Sequence, residues 1–380
     1  MVSYSLNESV KFDNVIVGRC LTMCSNEETK MREENKLLHR FEIQAGVVDS
    51  KRRPVADPKR VVKAFSRPAA GKIEPNPYEI RPHHILQMTV DYLVSDVVCY
   101  SNCHWADVYD FIFDRLRAVR QDMVMQDISG IDAISILEKI VRFHIYAGYR
   151  LCMEPLSVFD AKINEQHTQE CLKRLLQSYS TTEGPHINRP EFESIYLLFN
   201  LGSGHAMTHY VDLPKSLREN KSTSLCYEIC RSYMLGNYVR VLRSLQNLPS
   251  VICMCAVHRH LHNIQRHEAL LVMSVGFSSK NLKYPLDKLT DLLAFNCIAE
   301  TRDMCRSFSI SLNADSISFL KTNYKEPSTK ILPVHSDFIS DMLERVPLSE
   351  LLLQTSLREH TVPHTMESRM SARISDMSIS

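Results

Sequence analysis

Apolar residues recur every three or four positions along most of the chain after Ile85, and this spacing constrains the fold more than any other feature. The clearest run predicts one buried helix face, formed by Trp105, Val108, Tyr109, Ile112, Leu116, Val119 and Met123. Counted from Trp105, these residues fall on the side of an α-helix that faces a core. Similar runs lie within 134–152, 163–179 and 225–233, and no sustained strand alternation competes with them.

The spacing of these runs predicts an all-α chain built as a stacked antiparallel helical array. Helices joined by short turns bury their apolar faces on the next pair, and only ten glycines interrupt the 380 residues. The best internal breaks are 178–189 and the Gly202-Ser203-Gly204 turn. We expect residues 356–380, which lack an apolar stripe, to form a disordered tail.

The charge balance excludes a globally basic nucleic-acid-binding protein. The chain carries 45 basic and 44 acidic residues, so any affinity for nucleic acid must come from a local patch. The polar N-terminus and the short apolar runs favour an intracellular, soluble protein. In a reducing compartment, the twelve scattered cysteines are expected to be free thiols, many of them buried.

The N-terminal region combines a helix start with a basic segment. Ser25-Asn26-Glu27-Glu28 is a capping box, which predicts a charged helix from there to about Glu42. A Pro-punctuated basic strap follows, which we define as residues 51–72. Its cations are Lys51, Arg52, Arg53, Lys59, Arg60, Lys63, Arg67 and Lys72, and the only acidic residues close to them in the sequence are Asp57 within the strap and Asp49 just before it. Such a strap suits phosphate contacts, and it equally suits a solvated linker.

Catalytic motifs give no support for an enzyme. Gly202-Ser203-Gly204 lacks the Lys of a phosphate loop, and no Gly-x-Ser-x-Gly elbow occurs. The densest soft-ligand cluster is Cys253, Cys255, His258, His260, His262 and His267. On a helix, Cys255, His258 and His262 would share a face, so a metal-dependent enzyme is the alternative that remains. Cys20 and Cys24 have no partner pair nearby and are expected to pack as buried thiols.

The region after Tyr284 changes character. Leu286, Leu289, Leu292 and Leu293 mark a short helix, 299–307 marks another, and 310–323 alternates enough to form two short strands. Helix, helix and hairpin is the order of a small winged helix. In it, Arg302, Arg306, Lys321 and Lys325 would line the second helix and the wing. Residues 336–355 then predict a short docking helix interrupted at Pro347.

Several motifs resemble the suppressor-of-actin/GANP family, whose long members scaffold the nuclear-pore-associated mRNA transcription-and-export complex. They are GRCLTMCSNEE (18–28), DPKRVVKAFSRPAAG (57–71), YEIRP (78–82), MTVDYL (88–93), FDRLRAVRQD (113–122) and VRFHI (141–145). The chain departs from the family pattern at Ser25, where Pro is usual, and at Pro68, where Ser is usual. With weaker similarity to about Val334, the resemblance covers most of the chain.

The resemblance implies a helical-repeat region capped by a winged helix, known as the PCI module. The expected parts are 1–82 (capped helix and strap), 83–283 (repeats), 284–335 (winged helix), 336–355 (docking helix) and 356–380 (tail). It implies a non-enzymatic scaffold without cofactors, of the short, domain-only kind. Implied partners are a second PCI-domain protein, a small acidic proteasome-associated peptide and RNA, without a membrane.

Two cellular roles stay open under this resemblance. One is nuclear mRNA export or processing, and the other, tied to short family members, is centrosome duplication and spindle assembly. The expected binding residues in either role are the strap cations Lys51, Arg52, Arg53, Lys59, Arg60, Lys63 and Arg67, and the winged-helix cations Arg302, Arg306, Lys321 and Lys325. We expect the protein in the nucleus or in the cytoplasm at the centrosome and spindle.

Overall fold

A computed structural model describes residues 16–67, 76–248, 250–327 and 333–354. Described residues are mostly helical, as predicted, and divide into two compact units. Unit 1 comprises Met1–Ala147, Glu154–His186 and Arg345–Gln354, and unit 2 comprises Gly148–Met153, Ile187–Glu344 and Thr355–Ser380. The expected tail at 356–380 and the strap residue Lys72 lie outside the described residues. No helix in the described ranges is long and apolar enough to cross a membrane.

Unit 1 is built on three 21-residue helices with a short hairpin before them. Its described elements are α1 (Asn26–Glu34), β1 (Ile43–Val48), β2 (Pro54–Ala56), α2 (His83–Ser95), α3 (Trp105–Met125), α4 (Gly130–Arg150), α5 (Ala161–Thr181) and α16 (Leu348–Leu353). The last turn of α4 falls in unit 2. The predicted stripe on α3 is buried from Val108 to Met123, while Trp105 at its head is half-buried.

Helix α1 is shorter than the sequence predicted. Ser25 caps it, accepting a hydrogen bond from the Glu28 amide at 3.2 Å. The helix ends at Glu34 rather than near Glu42, because Lys36 adopts a left-handed conformation with φ +57°. The amides of Lys36 and Leu37 then donate to the carbonyls of Glu33 and Arg32, which is a Schellman termination.

The hairpin β1–β2 was not predicted. Its strands pair antiparallel, with Ile43 opposite Ala56 and Val48 opposite Pro54. The Asp49 carboxylate forms the turn by accepting the amides of Lys51 and Arg53 at 2.9 and 2.7 Å. Nearly all of β1 is exposed, so its residues show no alternation that would mark a strand.

Unit 2 combines short helices with a small sheet. Its described helices are α6 (Arg189–Phe199), α7 (Gly204–Asp212), α8 (Lys215–Arg218), α9 (Lys221–Met234), α10 (Tyr238–Leu245), α11 (Val251–Asn263), α12 (Leu270–Gly276), α13 (Leu286–Leu292), α14 (Ile298–Ser307) and α15 (Asp337–Glu344). Strands β3 (Tyr284–Pro285), β4 (Ser311–Leu312) and β5 (Ser316–Ser318) form an antiparallel sheet in the order β3-β5-β4.

The two helices and the hairpin predicted after Tyr284 are present, with β3 as an additional strand. Leu286, Leu289 and Leu293 are buried, as the stripe predicted. The segment 336–355, predicted as a docking helix interrupted at Pro347, contains two helices, α15 before that proline and α16 after it. Pro347 precedes the first residue of α16, a position where its missing amide donor costs no helical hydrogen bond.

Candidate nucleic-acid interface

Hydrogen bonds from both its backbone and its side chains hold the basic strap against other elements of unit 1. Lys63 donates to the Asp122 carboxylate at 2.7 Å and to the Glu79 carbonyl at 2.8 Å. The next amides continue this attachment, with Ala64 donating to Glu28. Glu28 therefore anchors the strap instead of completing the predicted capping box. Because the attachment extends over successive residues, the strap has a fixed path up to Arg67.

Two fully buried carboxylates form the base on which the strap rests. Glu42 accepts hydrogen bonds from the guanidinium groups of Arg32 and Arg115 and from the Val62 amide at 3.0 Å. Asp122 binds both Lys63 and the buried Arg81, whose Nε lies 2.7 Å from the carboxylate. Buried charges persist only with such compensation. Both carboxylates therefore tie the strap region to the helices.

Electrostatics reinforce the assignment of Glu42 as an ionised group. Burial alone would raise the pKa of Glu42, but the cations Arg115 and Arg32 and the Val62 amide lower it below the ordinary value of 4.5. The same carboxylate keeps the pKa of Arg32 raised against the effect of burial. Glu42 therefore carries its charge at neutral pH and holds two arginines in the interior.

The seven described strap cations divide into two groups. Three of them form ion pairs with carboxylates: Arg53 with Asp49 at 2.7 Å, Arg60 with Asp57 at 3.5 Å, and Lys63 with Asp122. The other four are exposed and have no carboxylate partner among the described residues: Lys51, Arg52, Lys59 and Arg67. These four are the ones available to a polyanion.

The arginines of α3 have partners beyond their sequence neighbours. Short spacing along the helix makes Asp110, Asp114 and Asp122 available as surface partners for Arg115, Arg117 and Arg120. Asp114 does contact Arg115, whose other partner is Glu42. The guanidinium group of Arg120 instead binds Glu170 on α5 at 2.8 Å and contacts His167 Nδ1 at 2.7 Å. Packed neighbouring elements therefore supply Glu42 and Glu170 as partners in addition to the sequence neighbour Asp114.

Arg117 has an aromatic partner that the sequence did not predict. Its guanidinium carbon lies 3.8 Å from the centroid of the Phe65 ring and 5.9 Å from that of Phe113. The Phe113–x–x–x–Arg117 spacing was a detectable signal for the second contact, because residues four apart share a helix face. Phe65 and Arg117 are 52 residues apart in the sequence, so no local spacing could predict their contact.

The cations expected in the 284–325 region belong to unit 2, and the described strap residues belong to unit 1. Arg302 is half-exposed and donates to the Ala314 carbonyl in the β4–β5 connection. Arg306 pairs with Asp303 at 2.8 Å on the surface of α14. Lys321 and Lys325 are exposed. Arg302 therefore links α14 to the β4–β5 connection, whereas the other three side chains are exposed.

The Cys/His cluster on α11 does not form a metal centre in the part of the chain that the structure describes. No group of three or more His, Cys, Asp or Glu side chains converges there with metal-binding geometry. His258 Nε2 lies 2.9 Å from the Val334 carbonyl and His260 Nε2 lies 3.1 Å from that of Phe199. Both rings therefore pair with backbone carbonyls within unit 2. The His267 side chain lies outside the described residues.

Burial explains the protonation of this cluster. It raises the pKa of the Cys255 thiol and lowers the pKa values of His258 and His260 to about 4. Neutral histidines can pair with backbone carbonyls through one N–H each. All twelve cysteines are free, and Cys20 and Cys24 are buried as predicted.

Comparison with known proteins shows where the chain belongs. The sequence model of the SAC3/GANP family matches residues 23–314. The chain is 24% identical to Protein xmas of Drosophila melanogaster over an alignment of 335 residues, which covers 83% of this chain and 16% of that protein. It is 28% identical over 351 residues to SAC3 family protein 1 of Schizosaccharomyces pombe, covering 84% of this chain and 32% of that protein.

A third relative is SAC3 family protein B of Arabidopsis thaliana, 28% identical over 285 residues, with 71% of this chain and 16% of that protein covered. The chain therefore spans about a third or less of the length of these relatives. The family match begins before α1 and ends within the β4–β5 connection, so it includes most described elements of both units. The chain belongs to the SAC3/GANP family.

Proposed function

We propose that this chain is a non-enzymatic scaffold in nuclear mRNA export, which pairs with a second PCI-domain protein and presents basic surfaces to RNA. The observation that carries the proposal is the family match over residues 23–314. Family members act through assembly, and a fixed, outward-facing cationic strap suits a scaffold that holds RNA beside protein partners.

The partner-binding part of the proposal rests on residues 284–325. The order β3, α13, α14, β4, β5 matches the element order of a winged helix. We assign the partner surface to the exposed cations of this region, Arg306, Lys321 and Lys325. A small acidic proteasome-associated peptide is the third proposed component. The alternative setting, at the centrosome and spindle, uses the same scaffold chemistry and differs in location.

A co-purification experiment tests the partner-binding part. The full chain, tagged and expressed in its own cells, should retain a PCI-domain protein, and the triple variant Arg306→Glu, Lys321→Glu, Lys325→Glu should lose it while unfolding at the same temperature. Exposed charges contribute little to stability, so a folded variant is expected. Arg302 is left unchanged because it supports the hairpin. Retention of the partner by the variant would refute this surface.

A salt series tests the RNA-binding part. Lys51, Arg52 and Lys59 are replaced together with Ala, and binding to a single-stranded oligouridine is measured at several salt concentrations. Losing three phosphate contacts should make the slope of log K against log salt shallower by about 2. The matched control replaces three exposed lysines elsewhere, Lys162, Lys215 and Lys221. Equal slopes for both variants would show that the strap is a linker.

Localisation of the tagged chain separates the two cellular roles. Nuclear enrichment with polyadenylated RNA would favour export. Enrichment at centrosomes, with duplication defects after depletion, would move the scaffold to the other setting.

A further inference from the structure

The guanidinium group of Arg117 is positioned by an aromatic ring and has no polar partner within the described residues. Its face covers Phe65 at 3.8 Å, and none of its N–H groups donates to a described acceptor. The side chain is half-buried, so it is neither a freely moving surface arginine nor a closed internal pair. A planar guanidinium that lies on an aromatic ring keeps its N–H edges available for a bidentate acceptor.

The carboxylates near Arg117 are already used by other groups. Asp114 contacts Arg115 and accepts the Phe65 amide at 3.1 Å. Glu170 accepts Arg120 at 2.8 Å and the Gln166 amide nitrogen at 3.0 Å. Each of these carboxylates therefore has at least two donors, and neither forms an ion pair with Arg117.

The Phe65 side of this surface is rigid, which pre-organises it for a ligand. Beyond the Phe65 amide, the Ser66 carbonyl accepts a hydrogen bond from Gln121 on α3 at 2.9 Å. Arg67 follows immediately and is exposed. The hydrogen bonds at Phe65 and Ser66 thus fix the backbone just before Arg67 against α3, the helix that carries Arg117.

Burial and charges of both signs act on the pKa of Arg117. Burial is the main cause that lowers the pKa of Arg117, Asp114 opposes it, and the positive charges of Arg67 and Arg120 lower it further. Arg120 is neutralised by Glu170, but Arg67 and Arg117 bring two positive charges together. A bound anion would relieve that repulsion.

We propose that Arg117 and Arg67 form a phosphate-binding subsite for single-stranded RNA at the end of the basic strap. The inference rests on the proposed RNA-binding function and names the residues that carry it. A polyanion with regularly spaced phosphates fits because further unpaired cations, Lys51, Arg52 and Lys59, precede the subsite along the same strap. The Arg117–Phe65 pair adds planar surfaces of the kind on which unstacked bases pack.

The test compares four proteins in binding to fluorescein-labelled oligouridine across a salt series: wild type, Arg67→Gln, Arg117→Gln and the matched control Arg243→Gln. Arg243 is an exposed arginine on α10 without an ion-pair partner in the described ranges. Each subsite variant should make the salt slope shallower by about 0.7, which weakens binding about fivefold at 0.1 M salt. Arg243→Gln should match wild type.

A second variant separates a lost phosphate contact from a disturbed fold. Arg117→Lys keeps the charge but loses the planar fork, so it should recover the salt slope while binding more weakly than wild type. Arg67 is exposed, so Arg67→Gln should unfold like wild type and still bind RNA more weakly. If Arg67→Gln and Arg117→Gln both bind with the wild-type slope, the subsite is refuted.

Photocrosslinking distinguishes failure of the subsite from failure of the proposed function. An oligonucleotide containing 4-thiouridine should crosslink to the tryptic peptide that begins at Ala64, and Arg117→Gln should reduce that adduct. RNA binding with crosslinks only elsewhere would refute the subsite and leave the proposed RNA function standing. No RNA binding by wild type would refute both. Equal, Arg117-dependent binding of a polyglutamate peptide would replace RNA with an acidic protein as the ligand.

Discussion

Replacing Glu42 with Gln should destabilise unit 1 strongly, because one carboxylate holds two buried arginines. The side chains of Glu42 and its partner Arg32 are almost completely buried from solvent. Arg115 Nη2 lies 3.2 Å from each of the two carboxylate oxygens of Glu42. Gln has the same shape but no charge. Its amide would also place donor hydrogens against a guanidinium that has only donors.

The expected size follows from breaking a buried ion pair by removing one partner. Such a change costs about 3–5 kcal/mol, since the remaining charge stays buried without compensation. With a urea dependence of about 2–3 kcal/mol/M for a unit of this size, the midpoint of unfolding should fall by about 1–2.5 M. The matched control Glu34→Gln removes an exposed carboxylate from the end of α1 and should shift the midpoint little.

The single tryptophan makes this measurement specific to unit 1. Trp105 begins α3, the helix that carries Arg115, so its fluorescence reports the unfolding of unit 1. The pH dependence gives a second readout. Since the pKa of Glu42 is lowered on folding, its stabilisation is complete above about 4.5 and is lost as pH falls through the folded-state value. Glu42→Gln should lose that part of the acid dependence.

An unchanged urea midpoint for Glu42→Gln would show that the two arginines find other partners or water, and the structural role given to Glu42 would be wrong. An equal loss in Glu34→Gln would point to a general effect of charge on this region.

Three further outcomes are expected. Trp105→Ala should lower the thermal midpoint measured by circular dichroism and reduce the free energy of unfolding by about 2–4 kcal/mol, because the half-buried ring packs edge-on against Tyr146 at 5.4 Å between ring centroids. Loss of a protein partner at an unchanged midpoint would make Trp105 a surface anchor. Lys63→Met should cost about 1–3 kcal/mol and leave the RNA salt slope unaltered, since Lys63 binds Asp122. The hydrogen-exchange protection of α11, measured relative to the intrinsic exchange rate at each pH, should decrease as pH falls from 6.5 toward 4, because neutral His258 and His260 stabilise the fold until the unfolded chain takes up their protons. EDTA should leave that protection unchanged, and a chelator effect would revive the metal alternative.

The sequence predicted the elements whose signal is local. The stripe from Val108 to Met123 identified α3 because one buried face repeats at helical spacing within a single segment. The helix that begins at Asn26 was recognised by its Ser25 cap for the same reason. Its end at Glu34 was missed because a lysine rather than a glycine takes the left-handed position.

The partners of the buried charges could not be predicted in the same way. Glu42 and Arg115 are 73 residues apart, and Asp122 is 59 residues from Lys63 and 41 from Arg81. Local spacing instead suggested surface pairs along α3, where neighbouring carboxylates were within reach. Desolvation decides the outcome, because a buried arginine needs a buried carboxylate, and only packing shows which carboxylate is buried.

These buried pairs determine which strap cations can meet a ligand. Asp122 removes Lys63 from that set, and Asp49 and Asp57 engage Arg53 and Arg60. The strap is thereby held in one path, and Lys51, Arg52, Lys59 and Arg67 remain exposed along it. A charge count treats all these cations alike, whereas the structure separates those that hold the strap from those that face outward. Binding by the outward group loses less conformational entropy because the other group has already fixed the backbone.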